Sequence, residues 1–140
     1  MSGWEREWFA ASPVARLATV TPAGRPHVVP VVFAVQNDVV WMAVDGKPKR
    51  SRALQRLHNI AANPQVSLIV DHYDDDWTSL WWVRADGGAR VVEQGSADEE
   101  AGLRLLVDRY PQYADQPPAG PVVAVGVDRW HGWRARDWLD

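Results

Sequence analysis

"ARLATVTPAGRPHVVPVVFAVQNDVVWMAV", residues 15–44, decides the fold. Two runs rich in β-branched residues, 14–20 and 27–35, flank "TPAGRP", whose Pro22 and Gly24 mark a turn, so the pair reads as a hairpin. "QND" is a second turn and "VVWMAV" a third strand, which makes a meander. Pro30 cannot donate to a ladder, which places it at a sheet edge or a bulge, where backbone can face a ligand.

Upstream, Trp4 and Trp8 lie four apart with Glu5, Arg6 and Glu7 between them, the pattern of a short amphipathic helix that Ser12-Pro13 ends. Downstream, the period changes: Leu54, Leu57, Ile60 and Ala61 mark one helical face, with Ser51 as N-cap and Pro64 as the stop. "QVSLIVDHY" (65–73) is a fourth strand and "DDD" a turn. "WTSLWWVRADG" with "GARVVEQG" (77–95) is a long fifth strand, bent or broken at Gly87-Gly88. "SADEEAGLRLLVDRY" (96–110) is a second clear helix, capped by Ser96 or Asp98, with acids in its first turn and Arg104 and Arg109 towards its end. A Pro-rich loop, 111–121, leads to the last strand, "VVAVGVDRW", and a Trp/Arg-rich tail. Six short strands against two or three helices predict a mainly β, closed or half-open barrel with helices on its rim, residues 1–140 forming a single domain.

Composition narrows the function classes. With 140 residues and 46% hydrophobic content, the chain can bury a proper core. A net charge of -3 argues against a surface built for nucleic acid. The absence of cysteine excludes disulfides, thiol nucleophiles and cysteine-held metals, and fits a reduced, cytoplasmic setting. The longest apolar run, "VVPVVFAV", falls far short of the ~20 residues of a membrane span. The acidic "MSGWEREWFAAS" is unlike a secretory signal, so the chain reads as soluble and untargeted. Nine tryptophans exceed what so small a core can hide, which predicts aromatic surface at an interface or cleft, and hence a dimer.

Five of the 15 cationic side chains, Lys47, Lys49, Arg50, Arg52 and Arg56, crowd the approach to the first long helix. A solvated charge run would oppose the helix dipole there, whereas an anion would use dipole, free N–H groups and side-chain charge together. The histidines, at 27, 58, 72 and 131, show no metal-ligand spacing, and "DHYDDDW" lacks the glycine and distal glutamate of a calcium loop. No P-loop, dinucleotide fingerprint or nucleophile elbow is present.

The order "ARLATVTPAGRPHVVPVVFAV", short strand, basic segment, "LQRLHNIAANPQVSLIVDHY", "DWTSLWWVRADGGARVV" resembles the pyridoxamine-phosphate-oxidase-like split β-barrels, and within them the actinobacterial proteins that use coenzyme F420, an 8-hydroxy-5-deazaflavin. The resemblance implies a homodimer with cofactor clefts at the interface. The ring would lie against Pro30, Val31, Val32 and Phe33 and against Met42, Ala43 and Val44. The phosphate would be held by Lys47, Lys49, Arg50, Arg52 and Arg56, with Asn59 at a polar family position. Trp77, Trp130 and Arg134 join this set as the aromatic and C-terminal contacts. Many FMN-binding relatives carry an Arg-Lys pair where this chain has Gln55-Arg56, which weakens the case for FMN. A polyanionic deazaflavin tail, with a phosphodiester and several glutamates, also matches the cation count. The implied activity is hydride transfer between reduced F420 and a small organic substrate, with Tyr73 or a water as proton donor and no catalytic residue or metal assigned. An FMN-dependent oxidase or reductase, or a flavin, deazaflavin or haem carrier without turnover, is the alternative.

Overall fold

The computed structural model describes residues 3–44, 50–118 and 120–138, and of residues 50–54 the backbone alone. In chain order the elements are α1 (Trp4–Ala11), β1 (Ala15–Val20), β2 (Pro26–Val31), β3 (Ala34–Gln36), β4 (Val39–Ala43), α2 (Arg50–Ala62), β5 (Gln65–His72), β6 (Trp81–Val91), α3 (Ala97–Arg109), α4 (Pro111–Asp115) and β7 (Val122–Arg134), with 3-10 turns at Trp77–Ser79 and Ala135–Trp138.

All seven strands join one antiparallel sheet in the order β2-β1-β5-β6-β7-β4-β3. β2 and β3 lie at its two opposite edges, yet Val32 and Phe33 alone separate them in the chain. Three Cα–Cα steps reach at most about 11 Å, so the two edges must approach each other there and the sheet must curl. The predicted barrel is therefore a seven-stranded half-barrel rather than six-stranded, because the run 27–35 breaks in two at the crossing between edges. Pro30 sits, as its missing N–H requires, on an edge strand.

Inside the curl, Leu17, Val31, Phe33, Val40, Met42, Leu68, Val70, Val83, Val123 and Val125 form the main core. Phe9 of α1 and Leu57 and Ile60 of α2 pack against it from the helices. β4 is buried on both faces: Val40 and Met42 point into the curl, Trp41 and Ala43 into a second cluster with Leu106 of α3. A Cβ on Gly102 would lie 2.5 Å from the Trp41 ring, so the glycine sets how closely α3 approaches β4.

Further expectations shift. Trp77–Ser79 is a 3-10 turn, not strand, because the Asp76 carboxylate accepts from Thr78 N at 3.0 Å and holds a local turn against the β propensity around it. β6 does not break at Gly87-Gly88, and the irregularity expected there is a register shift against β7 between Asp86 and Gly87. β7 continues to Arg134, so "HGWR" is strand rather than tail, paired with residues 81–84. Ser51 lies inside α2, which already includes Arg50, and is not its cap. Ser96 does cap α3, its hydroxyl accepting from Glu99 N at 3.1 Å.

Candidate functional site: a basic helix and an open sheet face

Arg56 is the member of the basic run whose side chain is described. It is half-buried on α2, and its Nε is enclosed with no hydrogen-bond partner among the described residues. Burial pulls the guanidinium below its ordinary pKa, with Tyr113 of α4 working in the opposite direction. Because arginine keeps its charge in proteins, burial here leaves a poorly solvated cation, whose desolvation a bound anion would offset. Arg50 and Arg52 lie on the backbone of α2, while Lys47 and Lys49 fall outside the described residues.

Asn59 turns out to be structural. It is fully buried, its Oδ1 accepting from Gln55 Nε2 at 2.7 Å and its Nδ2 donating to Thr19 Oγ1 at 2.9 Å. Both polar ends are used inside the protein, and through them it ties α2 to β1. Asn59→Ala is expected to cost about 2 kcal/mol in chemical denaturation, since it strands the buried Thr19 hydroxyl.

The strands assigned to the ring divide by exposure. Pro30 is exposed and Val32 half-buried, whereas Val31 and Phe33 are buried in the curl. Met42, Ala43 and Val44 are buried within one chain, Met42 facing the core and Ala43 the cluster beside α3, so little of their side chains is left for a ligand.

Trp130 and Arg134 are also committed elsewhere. The Trp130 indole N–H donates to Asp38 Oδ1 at 3.0 Å, and its ring meets Phe9 edge-on at 5.2 Å. Arg134 lies over Trp4, 4.2 Å from the ring centroid, and donates to Asp137 at 3.0 Å. Trp130 docks α1 and the β3–β4 turn, and Arg134 docks α1. Hydrogen bonds from Trp130 and from Arg6 hold Asp38 below the usual carboxylate range. Trp77 is 69% exposed. Its end of the sheet lies far from Met42: Trp81 pairs with Arg134, and Val91, ten residues along β6, pairs with Val123 beside Met42, a span of roughly 33 Å. One chain does not bring these two groups together.

The sheet's outer face supplies what was not anticipated. Register places Arg16, Ile69, Asp71, Trp82 and Trp133 around a cleft of about 430 Å³, with Tyr73 at its rim. Arg16 pairs with Asp71 at 3.7 Å, and the Trp82 ring lies 5.4 Å from His131. Further along, Asp86 accepts from Ser67 at 2.7 Å and from Arg84 at 2.9 Å. Burial would raise the Asp86 pKa, but these two donors and the charges of Arg84 and Arg129 outweigh it and the net shift is downward. Asp74, bonded to His72 and Ser79, is lowered in the same way against its own desolvation. Val28 and Ile69 remain exposed on this face. The signal was in the alternation Trp82, Arg84, Asp86, which marks one face of a strand whose other face, Val83, Ala85, Gly87, Ala89, is buried.

The sequence matches the pyridoxamine 5'-phosphate oxidase family over residues 5–134. The chain belongs to that family. No curated protein matches it. Among solved structures, the oxidase-family fold recurs in the conserved hypothetical protein Rv2991 from Mycobacterium tuberculosis, 23% identical over 100% of this chain and 89% of that one, with a TM-score of 0.77. It recurs in HutZ, the haem storage protein of Vibrio cholerae, at 18% identity, 95% and 93% coverage and a TM-score of 0.73. The FAD-binding protein of Mycobacterium smegmatis aligns at 20% identity, 96% coverage of each chain and a TM-score of 0.65. At these identities the likeness is one of fold. Among the described residues, this family member has no helix long and apolar enough to cross a membrane, and no group of three acidic or histidine side chains placed to hold a metal.

Proposed function

We propose that this oxidase-family chain is a cytoplasmic homodimer that binds a flavin-type cofactor, coenzyme F420 in the first place and FMN in the second, and transfers a hydride between it and a small organic molecule. The observation that carries the reading is Arg56: a half-buried guanidinium whose Nε has no partner among the described residues, on the helix that also bears Arg50 and Arg52. That is the chemistry of an anion seat. The cofactor's ring supplies the two-electron chemistry when bound. The chain's own part is to hold the anionic tail on Arg56 and its basic neighbours, and to exclude water at the outer face. A second copy packed over Val28, Ile69, Trp82 and Trp133 would cover that apolar surface.

Titration of the purified protein with F420, FMN and haem, followed by fluorescence or absorbance, tests this. Saturable binding of F420 with oxidation of its reduced form by a quinone, enone or nitroaromatic supports the reading. FMN binding alone moves it to the second cofactor. Haem binding alone, as in the storage protein of the same fold, overturns it. Neutralising Lys47, Lys49 and Arg56 together is expected to weaken binding at least tenfold at low salt and less at high salt, because ions screen exposed charge over about 10 Å at 0.1 M. An unchanged affinity would leave the basic run as mere surface.

A further inference from the structure

Beneath α1, at the end where β6 begins and β7 finishes, lies a cleft of about 410 Å³ between Trp8, His72, Leu80, Trp81 and Arg136. Its volume suits a small organic ligand. Trp8 and Trp81 meet edge-to-face, their centroids 5.0 Å apart at 64°, and the His72 ring stacks on Trp81 at 6.3 Å and 17°. The walls are therefore aromatic and mutually braced.

The charges around this cleft are nearly all spoken for. Arg134 is held by Asp137 and by the faces of Trp4 and Trp8. Asp74 is held by His72 at 2.8 Å and by Ser79 at 3.1 Å. Arg136 differs: it is exposed, with its guanidinium carbon 5.4 Å from the Trp8 ring centroid, and it has no carboxylate partner among the described residues. Among the described residues, internal pairing thus leaves Arg136 as an unmatched cation at the mouth of an aromatic-walled slot.

The geometry points to a binding site for a small aromatic carboxylate, its ring against Trp8 and Trp81 and its carboxylate on the Arg136 guanidinium. A planar guanidinium matches a carboxylate through two parallel N–H donors, and indole walls favour an offset or edge-on ring. A single free cation matches a monoanion better than a polyphosphate. The inference stands on this cleft and needs no cofactor.

The test is a titration of the cofactor-free protein with naphthalene-2-carboxylate, and separately with the uncharged 2-naphthalenemethanol, following tryptophan indole N–H signals by NMR. Trp8→Phe and Trp81→Phe assign two of the signals by their loss. The expected result is saturable shifts of Trp8 and Trp81, with the alcohol binding roughly tenfold more weakly, the scale of one charge-assisted hydrogen bond. Arg136→Ala should weaken the carboxylate by a similar factor and leave the alcohol unchanged, and Arg136→Lys should fall between. Arg136 is exposed, so the variant's melting temperature should match the parent's. Equal affinity for acid and alcohol overturns the proposal. So does unaltered carboxylate binding in a natively folded Arg136→Ala protein, or shifts confined to Trp82 and Trp133 on the outer face.

Discussion

Gly87→Ala is expected to destabilise the protein by more than about 3 kcal/mol, while Gly88→Ala, one residue along, stays within about 0.5 kcal/mol. A Cβ at Gly87 would lie 2.0 Å from the carbonyl oxygen of Gly126 and 3.0 Å from the Cα of Val127, whereas one at Gly88 would meet nothing within 4 Å. The obstacle at Gly87 is backbone, which cannot rotate away as a side chain would. The cause is the register shift: Asp86 faces Arg129 and Gly87 faces Val127, so β7 accommodates an extra residue and presses its backbone towards β6. Urea denaturation of the two variants side by side checks this. Equal stabilities would mean that the bulge relaxes at little cost.

Arg109→Ala is expected to lower stability by about 3 kcal/mol and the melting temperature by roughly 10 °C. Arg109 Nη1 donates to Phe33 O at 2.7 Å, and Nη2 donates to Ser12 O. The guanidinium also lies 4.8 Å from the centroid of the Phe33 ring. Tyr110 reinforces the joint: its hydroxyl accepts from Phe33 N at 3.0 Å and sits 2.7 Å from Phe33 O and 3.0 Å from Pro13 O, either of which can take its proton. These two residues at the end of α3 therefore clasp the crossing between β2 and β3, the point where the sheet's edges converge, to the link between α1 and β1. Tyr110→Phe should cost about 1–2 kcal/mol, and Arg109→Lys less than Arg109→Ala because one donor can still reach a carbonyl. Thermal melts of the three variants would show the order, and an Arg109→Ala protein as stable as the parent would remove the clasp from the account of closure.

Neither Gly87 nor Arg109 could have been singled out by reading along the chain. Gly87-Gly88 marks a weak spot in a strand, but which glycine is crowded depends on the partner strand's register. Arg109 reads as a cation placed for the helix dipole, and its real partners lie 76 and 97 residues away. The same limit affected the candidate site. Asn59 and Arg56 stand three apart on one helix and look equally polar. Burial separates them: Asn59 is fully buried against Thr19, while Arg56 is half-buried. Trp130 and Arg134 looked available because aromatic and cationic side chains suit ligands, yet the same chemistry suits docking α1.

The local alternation of the strands, the periods and stops of the main helices, the Ser96 cap, the edge position of Pro30 and the family pattern were legible in the chain itself, because each follows from neighbours a few residues apart. The seventh strand, the closing of the sheet at Val32-Phe33, the burial of Met42–Val44 and the span along β6 between Met42 and the Trp81 end came only with the tertiary structure. Each of these depends on which distant segments share a face, and side-chain chemistry alone does not determine that.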